Sequence, residues 1–256
     1  MKPRLATPYV VSSVDDGIMV VTLSRPAKLN AWDSVMRSQV GALLEHADGD
    51  PEVRAVVLTG SGPDGFCAGA DLQEVATHTT PELTTASLVQ FRRFYRQILQ
   101  LGKPFVAALN GVAAGSGFQA ALMADFRVAH EGVTMGQPEI LSGIPSITGT
   151  TLMMRRLGTA VAGELALTGR LMDAPEALRL GLLSRIVPRE DVLPESIALA
   201  RELGALSPEA FRQTKAWLRR EELLDMEAAY DFAEQAQARA VLDGDMTARV
   251  TAFLHG

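Results

Sequence analysis

Short apolar runs recur along the first half of the chain, and each is bounded by glycine or polar residues. GIMVVTLS at 17–24, AVVLTG at 55–60 and PFVAALNG at 104–111 are rich in β-branched or small apolar residues. Such runs predict strands, and the unbroken apolar character of the second predicts burial on both faces. FRVAHEG at 126–132 and RIVP at 185–188 predict two further strands of the same kind.

The segments between these runs predict helices and one long loop. Asp33 can cap a helix that runs to about His46. Residues 73–87 have no clear period, which predicts a mobile loop. An apolar stripe then recurs at helical spacing and consists of Phe91, Tyr95, Ile98 and Leu101. We interpret this stripe as core packing, although the same face can wall an apolar ligand pocket.

The second half is helical almost throughout from about Gly149. Asp173 and Glu176 have the spacing of a capping box, and Ser207 before a proline marks another helix start. Alternation of strands and helices, followed by helices alone, predicts an α/β fold with a helical C-terminal region. That region can serve assembly, because it offers large side chains for packing, namely Trp217, Leu218, Tyr230 and Phe232.

Two loops of small residues each follow a predicted strand. They contain Gly69-Ala70-Asp71 and Gly115-Ser116-Gly117, and the second opens a helix whose first peptide N–H groups have no partner within the helix. If the two strands are adjacent, one N–H from each loop can converge on a single oxygen and stabilise an oxyanion or enolate, at about 3 kcal/mol per donor. On spacing alone, tight turns are the better explanation of the same residues.

Composition and charge narrow the classes of function. The chain has 256 residues, is 47% hydrophobic and 21% charged, and carries a net charge of -6. This balance is typical of a globular protein and argues against a nucleic-acid surface. We find no signal peptide and no apolar window long enough to cross a bilayer, and the single Cys67 suits a reducing compartment. We therefore expect a cytoplasmic protein with neither a nucleic-acid nor a membrane partner.

Two other classes of enzyme deserve comparison. Gly115, Gly117 and Ala120 match the dinucleotide-binding motif G-x-G-x-x-A. This motif normally lies at the first strand-helix turn of the fold, whereas here it follows two earlier strand-helix units. A serine hydrolase would use Ser116, but Ala114 replaces the first glycine of the nucleophile elbow. The histidines show no catalytic or metal-binding spacing, and we interpret them as surface or loop residues: His46, His78, His130 and His255.

Four blocks, in order, resemble the crotonase superfamily, also called the enoyl-CoA hydratase/isomerase family. They are VVLTGSGPDGFCAGADL, NGVAAGSGFQAALMADFRVA, QPEILSGIP and LTGRLMDAPEALRLGLLSRIVP. The similarity covers residues 17 to about 190 and includes the RPAKLNAW loop. It implies a spiral of ββα units at 1–190 that holds an acyl-CoA site. It also implies a helical region at 191–256 that builds trimers or dimers of trimers.

The resemblance also implies the substrate and the groups that bind it. The substrate is an acyl-CoA thioester, so coenzyme A enters as part of the substrate and no separate cofactor or metal is expected. The oxyanion donors fall at the peptide N–H groups of Ala70 and Ser116, where relatives more often have glycine at the second position. The chain ends without the basic tail that helps many relatives to hold the nucleotide. Residues expected to contact substrate or coenzyme A are Lys28, Ala31, Ala68, Ala70, Asp71, Leu72, Gln73 and Ser116.

The carboxylates implied by the resemblance decide the reaction. Family hydratases usually carry two glutamates, and here the second is Glu139 while the first is replaced by Gln119. An amide can hydrogen-bond water but cannot exchange a proton at ordinary pH. One carboxylate is enough to move a proton between two carbons, so we expect isomerisation of 3-enoyl-CoA ahead of hydration. Hydrolysis, decarboxylation and retro-aldol cleavage follow, and a member without turnover stays open.

The loop after Glu139 also departs from the family pattern. Many relatives have one more residue before the proline of GIPSITGTT, residues 143–151, and a glycine-rich segment after it. The altered loop is expected to reshape the acyl pocket.

Overall fold

The structure of the chain, a computed structural model, describes residues 9–255. The two predicted regions extend beyond this range at both ends, where their outcome lies outside the described residues. The strands are β1 (Val10–Asp15), β2 (Ile18–Leu23), β3 (Ala55–Gly60), β4 (Gly65–Cys67), β5 (Phe105–Leu109), β6 (Val112–Ala114), β7 (Phe126–Ala129), β8 (Thr134–Gly136), β9 (Leu171–Asp173) and β10 (Arg185–Ile186). The α-helices are α1 (Ser34–Gly49), α2 (Leu72–Val75), α3 (Pro81–Gln100), α4 (Gly115–Met123), α5 (Ile147–Thr168), α6 (Ala174–Arg179), α7 (Val192–Gly204), α8 (Pro208–Asp243) and α9 (Asp245–His255).

The described residues form a six-stranded sheet in the order β1-β2-β3-β5-β7-β10. β1 and β2 form an antiparallel hairpin, and the remaining neighbours are parallel. β3 is central, with Val57 paired to Val20 on one side and to Val106 on the other. All six β3 residues are buried, as the unbroken apolar run predicts for a strand covered on both faces.

A second sheet within the described residues has the order β4-β6-β8-β9. β4, β6 and β8 are parallel three-residue strands, and β9 is antiparallel to β8. The carboxyl ends of parallel strands meet at one edge of a sheet. The loops that leave β4, β6 and β8 therefore emerge side by side.

The core lies between these layers and the helices. Its fully buried aromatic side chains include Trp32, Tyr95, Phe66, Phe105 and Phe118. α4 is buried at every position from Gly115 to Met123, so this helix crosses the interior. An apolar cluster of α7 covers the other face of the larger sheet.

The C-terminal helices pack on the core. α8 lies along α3 and α5, and Arg92 and Arg96 of α3 both pair with Glu227 of α8. α9 contacts α2 and the short 3₁₀ helix Pro138–Ser142. Tyr230 is buried in this arrangement, whereas the other three predicted packing side chains are exposed in this chain: Trp217, Leu218 and Phe232.

The predicted mobile loop at 73–87 is wrong. α3 begins at Pro81 inside that segment, the Thr80 hydroxyl accepts from the Leu83 N–H, and Glu82 lies in the first turn. These are the ordinary features of a helix start. Buried residues of the first two turns are few, so the segment shows no apolar period although it is helical.

Other predicted features are confirmed. The α/β class is correct, and the Asp33 carboxylate caps α1 by accepting from the Met36 N–H. Asp173 caps α6 and Ser207 caps α8. The sequence analysis does not predict the short strands of the second sheet, β4, β6, β8 and β9.

Candidate active site

Three loops meet at the edge of the second sheet. Ala70 follows β4, Ser116 follows β6, and Glu139 follows β8. Gly69 shows how close the first two loops are: a Cβ built on it would lie 2.8 Å from the Ala114 carbonyl oxygen and 3.3 Å from the Ser116 nitrogen. Gly69 has φ +100°, a conformation that favours glycine. The strand pairing thus brings together the two small-residue loops.

The peptide N–H groups of Ala70 and Ser116 are free to serve a ligand. Neither donates to another group of residues 9–255. The backbone at Ala70 is held on both sides, because the Trp32 N–H donates to the Gly69 carbonyl and the Asp71 N–H donates to the Trp32 carbonyl. Ser116 lies in the first turn of α4, where the helix dipole favours negative charge.

The Ser116 hydroxyl is held by a neighbour. Its Oγ accepts from the Trp32 indole N–H at 2.8 Å, and the Ser116 carbonyl accepts from the Tyr95 hydroxyl at 3.4 Å. None of the hydrogen bonds within the described chain joins the Ser116 hydroxyl to a histidine; His130, for example, contacts the Asn110 carbonyl. The arrangement fits a backbone donor and does not fit an activated serine nucleophile.

Glu139 lies directly beside the Gly115-Ser116 turn. A Cβ on Gly115 would be 2.9 Å from Glu139 Oε1. Burial raises the pKa of Glu139 to about 7, against the lowering effect of its own backbone and of the Gln119 amide. Its Oε2 is buried and has no hydrogen-bond partner in the described chain. A carboxyl with a pKa near neutrality is suited to both accept and return a proton.

Two amides converge on one oxygen of this carboxyl. Gln137 Nε2 donates to Glu139 Oε1 at 2.6 Å, and Gln119 Nε2 approaches the same atom at 3.4 Å. The Thr148 hydroxyl donates to the other end of the Gln119 amide, the oxygen Oε1 of Gln119, at 2.9 Å. Thr148 belongs to the first turn of α5. A continuous chain of hydrogen bonds therefore runs from Thr148 through Gln119 to Glu139.

A cavity of about 640 Å³ opens beside these groups. Every residue expected to bind or act on substrate borders it: Lys28, Ala31, Ala68, Ala70, Asp71, Leu72, Gln73, Ser116, Gln119 and Glu139. Phe91 and Tyr95 also border it, so the apolar stripe of α3 serves the core and the pocket wall together.

Charged groups gather around Lys28. Its ammonium contacts Asp71 Oδ2 at 3.0 Å and Gln73 Oε1 at 2.6 Å, and Arg25 pairs with Asp71 at 2.7 Å. Burial opposes ionisation of Asp71, but the hydrogen bonds from Lys28, from the Gln73 N–H and from Arg25 lower its pKa overall. The two cations share the Asp71 carboxylate, and Arg25 also lies 3.9 Å from Asp33 Oδ2.

Several cavity residues escape the sequence analysis. Gln137 and Thr148 flank Glu139 in sequence, but only the fold shows that their side chains meet Glu139 and Gln119. The C-terminal helices also contribute, through Tyr230 of α8 and Met246 and Phe253 of α9. Their only sequence signal is apolar character in a helical segment, which does not specify a pocket.

Other kinds of site find little support in residues 9–255. No group of three His, Cys, Asp or Glu side chains is arranged to hold a metal ion. Within that same range, no helix is both long and apolar enough to cross a membrane. The G-x-G-x-x-A motif follows β6 in the second sheet and does not open a parallel sheet, as a dinucleotide fold requires. Cys67 is buried, and burial raises the pKa of its thiol to about 12.

Comparison with known proteins gives a consistent result. A model of the enoyl-CoA hydratase/isomerase family matches residues 13–254. A probable enoyl-CoA hydratase of Mycobacterium bovis is 38% identical over 202 residues, which cover 78% of this chain and 77% of that protein. A short-chain enoyl-CoA hydratase of Clostridium acetobutylicum is 31% identical and covers 96% of this chain and 94% of its own length. The crystal structure of an enoyl-CoA hydratase/isomerase from Mycobacterium paratuberculosis superimposes with a TM-score of 0.88 at 26% identity, covering 96% of this chain and 98% of that one.

Proposed function

We propose that the chain, which belongs to the enoyl-CoA hydratase/isomerase family, converts a 3-enoyl-CoA to a 2-enoyl-CoA. Glu139 is the single acid/base of this reaction. One observation carries this proposal. The Gln119 amide, and not a second carboxylate, lies beside the buried Glu139 carboxyl, with 3.4 Å between Gln119 Nε2 and Glu139 Oε1. Glu139 can therefore remove and return one proton, whereas the Gln119 amide cannot exchange protons with water.

The proposed reaction begins with the thioester carbonyl between the N–H groups of Ala70 and Ser116. Glu139 takes a proton from C2, and the electrons of that C–H bond form the dienolate, whose oxygen accepts from both N–H groups. Glu139 then returns the same proton to C4, and the double bond moves from C3–C4 to C2–C3. Each N–H is worth about 3 kcal/mol in such sites, and the base contributes about 10²- to 10⁴-fold in rate.

Hydration is the second candidate, and a specific observation favours it. Both curated relatives described above are named enoyl-CoA hydratases. For hydration, Gln119 would have to hold the attacking water while Glu139 alone moves protons. An amide oxygen accepts hydrogen bonds and so can hold a water.

For the coenzyme A part of the substrate, we propose contacts along the Lys28 side of the cavity. Lys28 borders the cavity and its side chain is 33% exposed, and an ammonium group is a suitable partner for a nucleotide phosphate. Ala31, Ala68 and Leu72 border the same cavity and supply apolar surface for the pantetheine.

We also propose that the chain assembles as a trimer or as a dimer of trimers in the cytoplasm. Exposed apolar side chains on α8 support self-association; they are Trp217, Leu218, Leu224, Phe232 and Leu242. Light scattering coupled to size-exclusion chromatography gives the mass directly.

Turnover of matched 2-enoyl-CoA and 3-enoyl-CoA thioesters tests the reaction, with the Glu139→Gln variant alongside. Conversion of the 3-enoyl substrate without water addition, lost in Glu139→Gln, is the expected result. Rapid hydration of the 2-enoyl substrate would move the assignment to hydratase. If neither substrate turns over while acyl-CoA still binds, the chain performs another thioester reaction or none.

A further inference from the structure

While Glu139 is ionised, as a base must be before it takes a proton, the amide of Gln119 has one chemically sensible orientation. An ionised carboxylate accepts hydrogen bonds and cannot donate them. Gln119 must therefore present its nitrogen to Glu139, which leaves its oxygen toward Thr148. The Thr148 hydroxyl must then donate, as its 2.9 Å distance to Gln119 Oε1 allows.

The Thr148 hydroxyl also uses one of the two lone pairs through which the Gln119 oxygen could hold a water. A water bound to an amide oxygen lies at about the same 2.7–3.0 Å distance as this hydroxyl. The Gln119 side chain is enclosed, with only 4% of the residue exposed. The Thr148 hydroxyl of α5 therefore competes with an attacking water for the same amide oxygen.

We propose that Thr148 is a positioning residue that selects between the two reactions of this site. Its hydroxyl holds the Gln119 nitrogen toward Glu139 and occupies the Gln119 oxygen. This arrangement favours transfer of a proton between carbons over addition of water. The inference rests on the proposed function, because it assigns a cause for the preference of one thioester reaction over the other.

Three substitutions separate the hydroxyl from the volume of this side chain. Thr148→Ala removes both, Thr148→Val removes the hydroxyl and keeps the volume, and Thr148→Ser keeps the hydroxyl. Thr151→Val is the matched control, because Thr151 lies on the same helix and its hydroxyl donates to the Ile147 carbonyl at 3.0 Å instead of to the site.

The readout is the ratio of hydration to isomerisation rates, measured on 2-enoyl-CoA and 3-enoyl-CoA with each variant. Thr148→Ala frees the Gln119 oxygen for water, and the ratio should rise about two- to tenfold, the effect of one neutral hydrogen bond. Thr148→Val should lower the isomerisation kcat about two- to tenfold, the effect of losing one neutral hydrogen bond, with KM changed less than about twofold. Thr148→Ser should restore the wild-type ratio, and Thr151→Val should leave it unchanged.

The outcomes distinguish this inference from the proposed function. If the wild type isomerises and Glu139→Gln does not, but Thr148→Ala keeps the wild-type ratio, only the role of Thr148 is wrong. If Thr151→Val changes the ratio as much as Thr148→Ala does, the effect is a general one of the helix start and the role is again wrong. If the wild type hydrates 2-enoyl-CoA faster than it isomerises 3-enoyl-CoA, both proposals fail together.

Discussion

The ionisation of Glu139 predicts a pH dependence that an ordinary glutamate would not produce. Burial raises the pKa of this carboxyl from 4.5 to about 7. Only the ionised form can take a proton from C2. The rate of isomerisation should therefore follow the ionised fraction of Glu139 in the free enzyme when kcat/KM is plotted against pH.

The size of the effect follows from the two pKa values. With a pKa of about 7, the ionised fraction is about 9% at pH 6 and about 91% at pH 8, so kcat/KM should rise about tenfold over this interval. A glutamate with its usual pKa is almost fully ionised throughout, and its profile would be flat. The interval is one in which most folded proteins keep their stability.

The assay follows the conjugated enoyl thioester by ultraviolet absorbance at constant ionic strength. A phosphate monoester has its second pKa near 6, so the substrate itself titrates in the same range. A 3-enoyl pantetheine thioester without phosphate groups removes this ambiguity. A profile that is flat from pH 6 to 8 with this truncated substrate would refute the reasoning, because it would mean that Glu139 is not the buried base.

Three further predictions concern the same group. Because the folded-state pKa of Glu139 lies above the unfolded value, ionisation of this carboxyl destabilises the fold at high pH. Glu139→Gln should therefore be more stable than the wild type by about 3 kcal/mol at pH 8 and equally stable near pH 4. Urea unfolding at both pH values measures the difference. Gln119→Glu restores a two-carboxylate site and should raise hydration of 2-enoyl-CoA; a folded variant that binds acyl-CoA without hydrating it would contradict the two-carboxylate account. Gly149→Ala would place a Cβ 2.2 Å from Gln137 Cδ, so Gln137 should withdraw from Glu139, and the acid limb of the pH profile should move to higher pH.

The larger sheet could be predicted from the sequence because its central strands are unbroken apolar runs. β3 and β5 coincide with the predicted segments within one or two residues. Helix starts were equally accessible, since Asp33, Asp173 and Ser207 each accept a hydrogen bond from the N–H three residues ahead. These signals are local, and they do not depend on what packs against the segment.

The second sheet could not be predicted in the same way. β4, β6 and β8 have three residues each, which is too short for a period to be counted. Their pairing depends on contacts between segments far apart in the chain, such as Cys67 with Ala113 and Ala113 with Met135. This sheet assembles the site, so the geometry of the site was inaccessible to any argument from local pattern.

The candidate site was predicted residue by residue from the family resemblance, and the structure gathers those residues around one cavity. What the resemblance does not contain is the contact between Gln119 and Thr148. Each lies where this chain departs from the family pattern, Gln119 as an amide in place of a glutamate and Thr148 within the altered loop. Gln119 and Thr148 are joined by a hydrogen bond of 2.9 Å. We therefore interpret these two differences from the family pattern as one coupled change in the site.

The glycines of the site have a second role beside the close approach of a ligand. Gly69 leaves room for the Ser116 nitrogen, Gly115 for the Glu139 carboxyl and Gly149 for the Gln137 amide, since a Cβ at each would approach these groups within 2.2–3.3 Å. Protein interiors are packed closely enough that such a group must move if a methyl is added. The glycines therefore set the distances between the site's own polar groups. A substitution there should change the position of Glu139 relative to the N–H groups of Ala70 and Ser116 even where the cavity keeps its volume.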